Sequence, residues 1–209
     1  MRSALEVYGR ALSDGGGLRL LDGSAAGSPL PVHVWISDEA PGDAGLLDRC
    51  RGPVLDVGCG PGRLAAALMA RGIPALGVDI APSAVALARS RGASVLARSV
   101  YDRLPGERRW TTVLLADGNI GIGGDPVRLL SRIRDLLAPD GALLVEVGAP
   151  GSTSGPVRVR LEDDVGTSEE FLWALVGADD ISALAGEADL RPGGTWQEAG
   201  RWFATLVRP

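Results

Sequence analysis

The stretch Val54-Leu55-Asp56-Val57-Gly58-Cys59-Gly60-Pro61-Gly62 decides the fold, because a short apolar run passes directly into a turn with three glycines. The four residues before the first glycine are typical of a buried strand. Residues 63–71 follow with leucine and alanine side chains at helical spacing, which predicts a helix. A strand, a glycine turn and a helix in this order are typical of the first unit of a parallel α/β sheet.

Strands and helices continue to alternate along the chain after this unit, with connections of a few residues. Such alternation implies a parallel sheet that is covered by helices on both faces, so we expect an α/β fold with three layers, an αβα sandwich. The further strands are predicted at 75–78, 94–97, 111–116 and 142–147, and the further helices at 82–91 and 126–138.

The segments outside this core have a less regular pattern. Ser3 is positioned to cap a short amphipathic helix, and the apolar runs 18–21 and 30–36 predict a hairpin or a flap. Beyond residue 148 we expect a half-exposed strand at 157–161, a helix at 178–189 and two strands at 196–198 and 201–207. We expect a single domain, residues 1–209, with a cap or flap in 1–50, a cofactor-binding core in 51–148, and an acceptor-side insertion with the C-terminal strands in 149–209.

The composition excludes several classes of function. The formal net charge is −5, so a nucleic acid is not expected as a partner. All 21 basic residues are arginines, so a Walker lysine and a Schiff-base lysine are both ruled out. Two cysteines and one histidine form no zinc-ligand spacing, and no metal is expected. The first residues contain no long apolar run, which predicts no membrane anchor and a cytoplasmic protein; the bias toward Ala, Gly and Arg favours a GC-rich bacterial genome.

The glycine turn and Asp79 together predict a nucleotide-like ligand. Ligands of an open parallel sheet bind at the carboxyl ends of the strands, and glycines there let a ligand approach the backbone. Asp79 ends the next strand and follows Gly58 by 21 positions, the separation expected between a glycine turn and an acid that holds a ribose. Arg63 stands where a dinucleotide fingerprint has its third glycine, and Asp56 precedes the turn, which argues against NAD.

At this point the chain resembles the class I S-adenosylmethionine-dependent methyltransferases of small molecules. The stretch from Val54 to Gly62 is similar to the first motif of that family, and Gly77 to Ala88 is similar to the second. The resemblance implies a Rossmann-like, mostly parallel seven-stranded sheet with an antiparallel C-terminal strand, and S-adenosyl-L-methionine as cofactor. It implies cofactor contacts at Asp56, Gly58, Cys59, Gly60, Gly62, Asp79, Ile80, Ser99, Val100, Tyr101, Ala116 and Asp117.

The roles implied by the resemblance follow the cofactor from end to end. The glycine turn lines its methionine end, Asp79 holds its ribose, and Ile80 packs on its adenine face. Ser99 and its neighbours border the adenine edge, where family members often have an acid instead. Ala116 and Asp117 face the methionine end and the acceptor.

Candidate catalytic residues come from the glycine-rich run after the fourth strand and from the only imidazole. Asp117 and Asn119 have the chemistry to orient an acceptor, and Asp117 could also take its proton. His33 is the natural base near neutral pH. Asp125 precedes a proline and is better explained as a helix cap. Trp35 and Trp173 are candidates for stacking on a flat acceptor, although core or edge packing is the more common role of such aromatic residues.

The sequence therefore predicts methyl transfer to an oxygen or nitrogen of a small molecule, in a pathway such as secondary metabolism. Two alternatives stay open. The chain could bind S-adenosylmethionine or S-adenosylhomocysteine without transferring a methyl group, or it could be an NAD-dependent oxidoreductase. The sequence does not distinguish a monomer from a homodimer, and it does not identify the acceptor.

Overall fold

A computed structural model describes residues 2–23 and 27–209, and the structural statements below concern those residues. The helices are α1 (Ala4–Asp14), α2 (Val32–Trp35), α3 (Asp43–Asp48), α4 (Arg63–Ala70), α5 (Pro82–Ser90), α6 (Pro126–Leu136) and α7 (Ile181–Glu187), with a 3₁₀ helix at Asn119–Gly124. The strands are β1 (Leu18–Leu21), β2 (Ser28–Leu30), β3 (Val54–Val57), β4 (Ala75–Asp79), β5 (Val95–Ala97), β6 (Trp110–Leu115), β7 (Leu137–Val147), β8 (Gly155–Asp163), β9 (Gly166–Thr167), β10 (Phe171–Leu175), β11 (Arg191–Glu198) and β12 (Arg201–Val207).

Seven strands form the main sheet in the order β11-β12-β7-β6-β3-β4-β5. The central pairs are parallel, and β12 runs antiparallel to both of its neighbours. This confirms the predicted mostly parallel, Rossmann-like sheet with an antiparallel C-terminal strand. The chain leaves β3 toward β4 on one side and later returns to its other side with β6, so a crevice is expected where the carboxyl ends of β3 and β6 meet.

Several predicted boundaries differ from the structure, and two of these differences have a local reason. The sixth helix ends at Leu136 rather than Ala138, and β7 begins at the next residue. Pro139 explains this, because a residue that precedes proline is restricted to extended backbone. The apolar run 30–36 splits into the end of β2 and the short helix α2, which begins directly after Pro31.

A second, smaller sheet joins the two ends of the chain. Its strands are antiparallel in the order β10-β8-β1-β2, and β9 pairs with β8. The predicted hairpin is present, since Leu18 pairs with Leu30. The pairing of β1 with β8 aligns Leu20 with Leu161, a contact between segments that are far apart in the sequence. The N-terminal hairpin and the segment after β7 thus belong to the same sheet.

The apolar side chains form clusters that fix the two sheets around the crevice. One cluster packs α6 and α7 on the main sheet through Leu129, Ile133 and their neighbours. Another packs α1, α5 and the small sheet together and contains Val7 and Leu161. Full burial of each such side chain stabilises the fold by about 1.5–3 kcal/mol. Within the described ranges, every helix is too short or too polar to cross a membrane.

Candidate functional site

The glycine turn after β3 is built from residues in the left-handed region. The φ angles of Gly58, Gly60 and Gly62 are +70°, +53° and +81°, which is strained for any residue with a side chain. The Gly58 and Cys59 amides donate to the carbonyl oxygen of Val78 at 2.9 and 3.1 Å. The turn is therefore tied to β4, and its first amides already have partners within the protein.

Asp79 lies at the carboxyl end of β4 and organises the same turn. Its carboxylate accepts from the Gly60 amide through Oδ2 and from the Ala81 amide through Oδ1, both at 2.8 Å. Each oxygen keeps a second lone pair for a ligand. Burial raises the pKa of Asp79 above its ordinary value. The next side chain, Ile80, is 56% exposed although it is large and apolar, and so it offers an uncovered apolar surface beside the carboxylate.

Asp56 is buried within β3 and faces the start of α4. Its carboxylate accepts from the Ala65 amide in the first turn of that helix, while Oδ2 has no hydrogen-bond partner among the described residues. Burial, with a smaller contribution from the Asp117 and Asp79 charges, raises the pKa of Asp56 to about 7. A carboxyl group thus occupies the helix N-terminus, which is the place where a dinucleotide fold holds a pyrophosphate. The arrangement disfavours a phosphate and leaves an acceptor free for a cationic or donating group.

Asp117, after β6, is held by a network of charged side chains. Its φ is +54°, an uncommon conformation for a non-glycine residue. Its carboxylate accepts from Arg63 Nη2 at 2.6 Å and from Arg201 Nη2 at 3.1 Å, and its amide donates to Glu146 Oε2 at 2.6 Å. Asp43 completes the network, because it accepts from both arginines.

The network places two positive charges among acidic groups at the carboxyl edge of the sheet. Burial raises the pKa of Asp117, whereas the charges of Arg63 and Arg201 lower it. The sequence offered one signal for this network, since Arg63 replaces the third glycine of a dinucleotide fingerprint. Asp43, Glu146 and Arg201 come from three distant segments and had no local signal.

Asn119 connects the glycine-rich run to the glycine turn. Its Nδ2 donates to the carbonyl oxygens of Val57 and Gly58 at 3.1 and 2.8 Å. A Cβ atom at Gly58 would come within 2.7 Å of that amide group, so the contact requires glycine. The structure therefore brings Asn119 together with the predicted cofactor turn, where its amide holds the backbone.

The other predicted cofactor residues differ in how deeply their side chains are buried. The Cys59 thiol points toward Gly77 of β4, and burial raises its pKa. Val100 and Ala116 are buried. Ser99 is half-buried, and its amide donates to Asp102 Oδ2 at 3.0 Å, which places an acid beside this position.

Tyr101 and His33 are the two remaining predicted side chains. The Tyr101 hydroxyl donates to the Ile122 carbonyl at 3.4 Å, and its ring lies 4.6 Å below the Arg128 guanidinium. His33 is exposed on α2, and none of the hydrogen bonds or ion pairs of the described residues includes its ring. Asp125 caps α6 as predicted, with Oδ1 accepting from the Arg128 amide at 2.9 Å.

Two aromatic residues approach the crevice from outside the main sheet. Trp173 of β10 packs against Gly121 in the glycine-rich run. Its indole fills the space that a side chain at position 121 would need. Tyr8 of α1 places its hydroxyl 3.1 Å from the point where a Cβ atom of Gly60 would stand. The second sheet and the first helix therefore border the same crevice as the predicted motifs.

One family profile matches the central part of the chain. Residues 54–141 match the sequence profile of a family described as a methyltransferase domain. No curated protein matches the chain in sequence.

Solved structures share the fold of the described chain. The SAM-dependent methyltransferase from Bacteroides fragilis, in complex with S-adenosyl-L-homocysteine, has a TM-score of 0.84 at 22% identity and covers 100% of this chain and 98% of that chain. The 1,6-didemethyltoxoflavin-N1-methyltransferase of Burkholderia thailandensis has a TM-score of 0.54 at 23% identity, covering 74% and 70%. CalS10, an amino pentose methyltransferase from Micromonospora echinaspora, has a TM-score of 0.59 at 21% identity, covering 80% and 90%.

Proposed function

We propose that this chain, whose residues 54–141 form a methyltransferase domain, transfers a methyl group from S-adenosylmethionine to an oxygen or nitrogen of a small molecule. The observation that carries the proposal is the unpartnered, buried Oδ2 of Asp56 beside the glycine turn. S-adenosylmethionine brings an ammonium and a sulfonium group, and a site with free acidic oxygens suits both. An NAD-dependent oxidoreductase is disfavoured, because the same carboxyl group stands where a pyrophosphate would bind.

The residues at the crevice fit the parts of S-adenosylmethionine. Asp79 has lone pairs for the two ribose hydroxyls, and Ile80 has the uncovered apolar surface that an adenine ring requires. Asp56, beside the glycine turn, would accept from the ammonium group of the methionine end. When bound, the cofactor supplies a methyl carbon that is already electrophilic.

The protein's own contribution is alignment and exclusion of water. Holding two reactants in line can lower a barrier by roughly 7–11 kcal/mol. Asp117 points into the crevice with both of its oxygens engaged by arginines, an arrangement that suits the orientation of an acceptor hydroxyl or amine better than removal of its proton. Asn119 holds the turn against which the cofactor would lie.

The proposed acceptor class rests on the aromatic side chains that border the crevice and on the structural neighbours. Two of those neighbours carry the names of a toxoflavin-precursor N-methyltransferase and an amino pentose methyltransferase. The small sheet and α1 border the crevice with the aromatic side chains of Trp173 and Tyr8. This arrangement favours a small acceptor over a macromolecule. We place the reaction in a bacterial cytoplasm, which agrees with two free cysteines.

A calorimetric titration tests cofactor identity. We expect S-adenosylhomocysteine to bind the wild-type protein, and NADH not to bind. Asp79→Ala should weaken S-adenosylhomocysteine by at least tenfold, because it removes the acceptor for the ribose and the anchor of the Gly60 amide. Asp164→Ala, which removes an exposed acid outside the crevice, is the matched control and should bind like the wild type. Binding of NADH in place of S-adenosylhomocysteine would overturn the proposal.

Transfer of a labelled methyl group separates an enzyme from a protein that only binds the cofactor. The labelled cofactor is incubated with panels of phenols, amines, amino sugars and carboxylic acids, and the products are separated from the protein. We expect label in at least one small molecule. Label that stays on the cofactor throughout, with tight binding, would favour the binding protein without transferase activity.

A further inference from the structure

We infer that Tyr8 is a further cofactor-contacting residue, whose hydroxyl donates a hydrogen bond to an oxygen of bound S-adenosylmethionine. The inference deepens the proposed function and rests on it. It assigns to α1, outside the methyltransferase domain match, a direct part in holding the cofactor.

The Tyr8 hydroxyl lies over the glycine turn without a protein partner. It stands 3.1 Å from the Cβ position of Gly60, and no acceptor for it occurs in the described ranges. Burial and the charges of Asp79 and Asp117 raise the pKa of Tyr8 above its ordinary value, so the group stays a donor near neutral pH. The ring is fixed by an edge contact with Trp35, with 5.9 Å between ring centroids.

The position of Tyr8 is imposed by its neighbours on α1. A Cβ atom at Gly9 would come within 2.6 Å of Ser83 Oγ and 3.2 Å of Ser83 Cβ on α5, so glycine permits the close approach of the two helices. Val7, on the other side of Tyr8, is completely buried in the cluster with the small sheet. The helix is also attached to that sheet, because Arg2 donates to both oxygens of Asp163 at 2.8 and 2.9 Å.

The Tyr8 phenol keeps a hydrogen-bond donor available to a ligand. Its side chain is half-buried, so water can take up this donor until a ligand displaces it, and a ligand oxygen in its place restores the hydrogen bond. The acids around it already accept from backbone amides or arginines, as Asp79 and Asp117 do. The oxygens that a bound cofactor offers near Gly60 are those of the ribose and of the amino-acid carboxylate, and both accept from a phenol.

The test is a calorimetric titration of the Tyr8→Phe variant with S-adenosylhomocysteine and with 5′-methylthioadenosine, which has the ribose but lacks the carboxylate. Loss of a hydrogen bond to the ribose should weaken both ligands about 3- to 10-fold. Loss of a bond to the carboxylate should weaken S-adenosylhomocysteine about 10- to 100-fold and leave the other ligand unchanged. Unchanged affinity for both ligands would overturn the inference.

Three single variants and one double variant separate this contact from the packing of α1. Val7→Ala should lower the Tm by several degrees and keep the affinity within about twofold, because the cavity lies away from the hydroxyl. Tyr8→Phe should leave the Tm unchanged and weaken the binding of S-adenosylhomocysteine. Gly9→Ala should displace α1 and reproduce the weaker binding, and Ser83→Gly in the same chain should restore it by removing the colliding atoms.

A wild-type protein that binds no S-adenosylhomocysteine would contradict the proposed function itself. A wild type that binds, together with an equally tight Tyr8→Phe variant, would contradict only the role of Tyr8. Equal weakening by Val7→Ala and Tyr8→Phe would also overturn it, because the loss would then come from helix packing.

Discussion

At the scale of single residues, Asp56 shows how a binding site is obtained at the expense of stability. Its carboxyl group is withdrawn from water, accepts from the Ala65 amide and keeps one oxygen unpartnered. A buried polar atom without a partner costs about 1–3 kcal/mol. A hydrophobic residue would avoid this cost, but it could not accept from a ligand. The position is therefore better explained by binding than by folding.

Asp56 also predicts how stability depends on pH. Its pKa is raised from 3.8 to about 7 in the folded state, so between these values the folded protein holds a proton that the unfolded chain releases. Stability from this group is present at low pH and is lost as the pH rises through the window, by about 2–3 kcal/mol from pH 5 to pH 8. Asp56→Asn cannot ionise and should lack this component.

Urea unfolding of both proteins at pH 5 and pH 8 measures the effect. The free energy of unfolding of the wild type should fall between the two pH values by more than that of Asp56→Asn. Asp164→Asn, at an exposed position, should follow the wild type. If Asp56→Asn and the wild type lose the same stability, the Asp56 pKa is not raised as the burial indicates.

At the scale of elements, the small sheet meets the glycine-rich run through Gly121. A Cβ atom there would overlap the Trp173 indole and the Ala174 carbonyl oxygen. Gly121→Ala should force β10 away from the 3₁₀ helix and destabilise the protein by about 1–3 kcal/mol, the range typical of overpacking. The run carries Asp117 and Asn119, so the same variant should also weaken the binding of S-adenosylhomocysteine.

Thermal unfolding with a calorimetric titration checks this prediction, and Gly16→Ala is its control. Gly16 has no neighbour near its Cβ position and does not adopt a positive φ. Alanine there should leave the Tm unchanged or raise it slightly. A Gly121→Ala protein as stable as the control would show that β10 is not tightly packed against the glycine-rich run.

The elements also show which parts of the fold could be predicted from the sequence. The strands of the main sheet and the cap at Asp125 follow from short-range signals, namely apolar runs, turn glycines and a side chain before a proline. The second sheet could not be predicted, because β1 and β8 pair across most of the chain. The same holds for Arg201, whose role depends on Glu146 and Asp117 being brought to one edge.

At the scale of the whole molecule, the small sheet shares one apolar cluster with α1 and with α5, a helix that covers the main sheet. Val7 of α1 and Leu18 of β1 are buried in it together with Ala84 of α5 and Leu161 of β8. Charged contacts add to this connection, since Arg2 and Arg10 both pair with Asp163. We therefore expect the small sheet to lose its structure together with the main sheet.

Differential scanning calorimetry tests this expectation of a single domain. One transition should appear, with a calorimetric enthalpy equal to the van't Hoff enthalpy and on the order of 150 kcal/mol near 60 °C, from about 0.7 kcal/mol per residue. Saturation with S-adenosylhomocysteine at 100 times its Kd should stabilise that one transition by about 2.7 kcal/mol. Two transitions, of which only the later one responds to the ligand, would show that the small sheet folds separately and that the crevice needs only the main sheet. A single transition that responds as a whole would mean that the N-terminal helix, the small sheet and the glycine turn form the binding site as one cooperative unit.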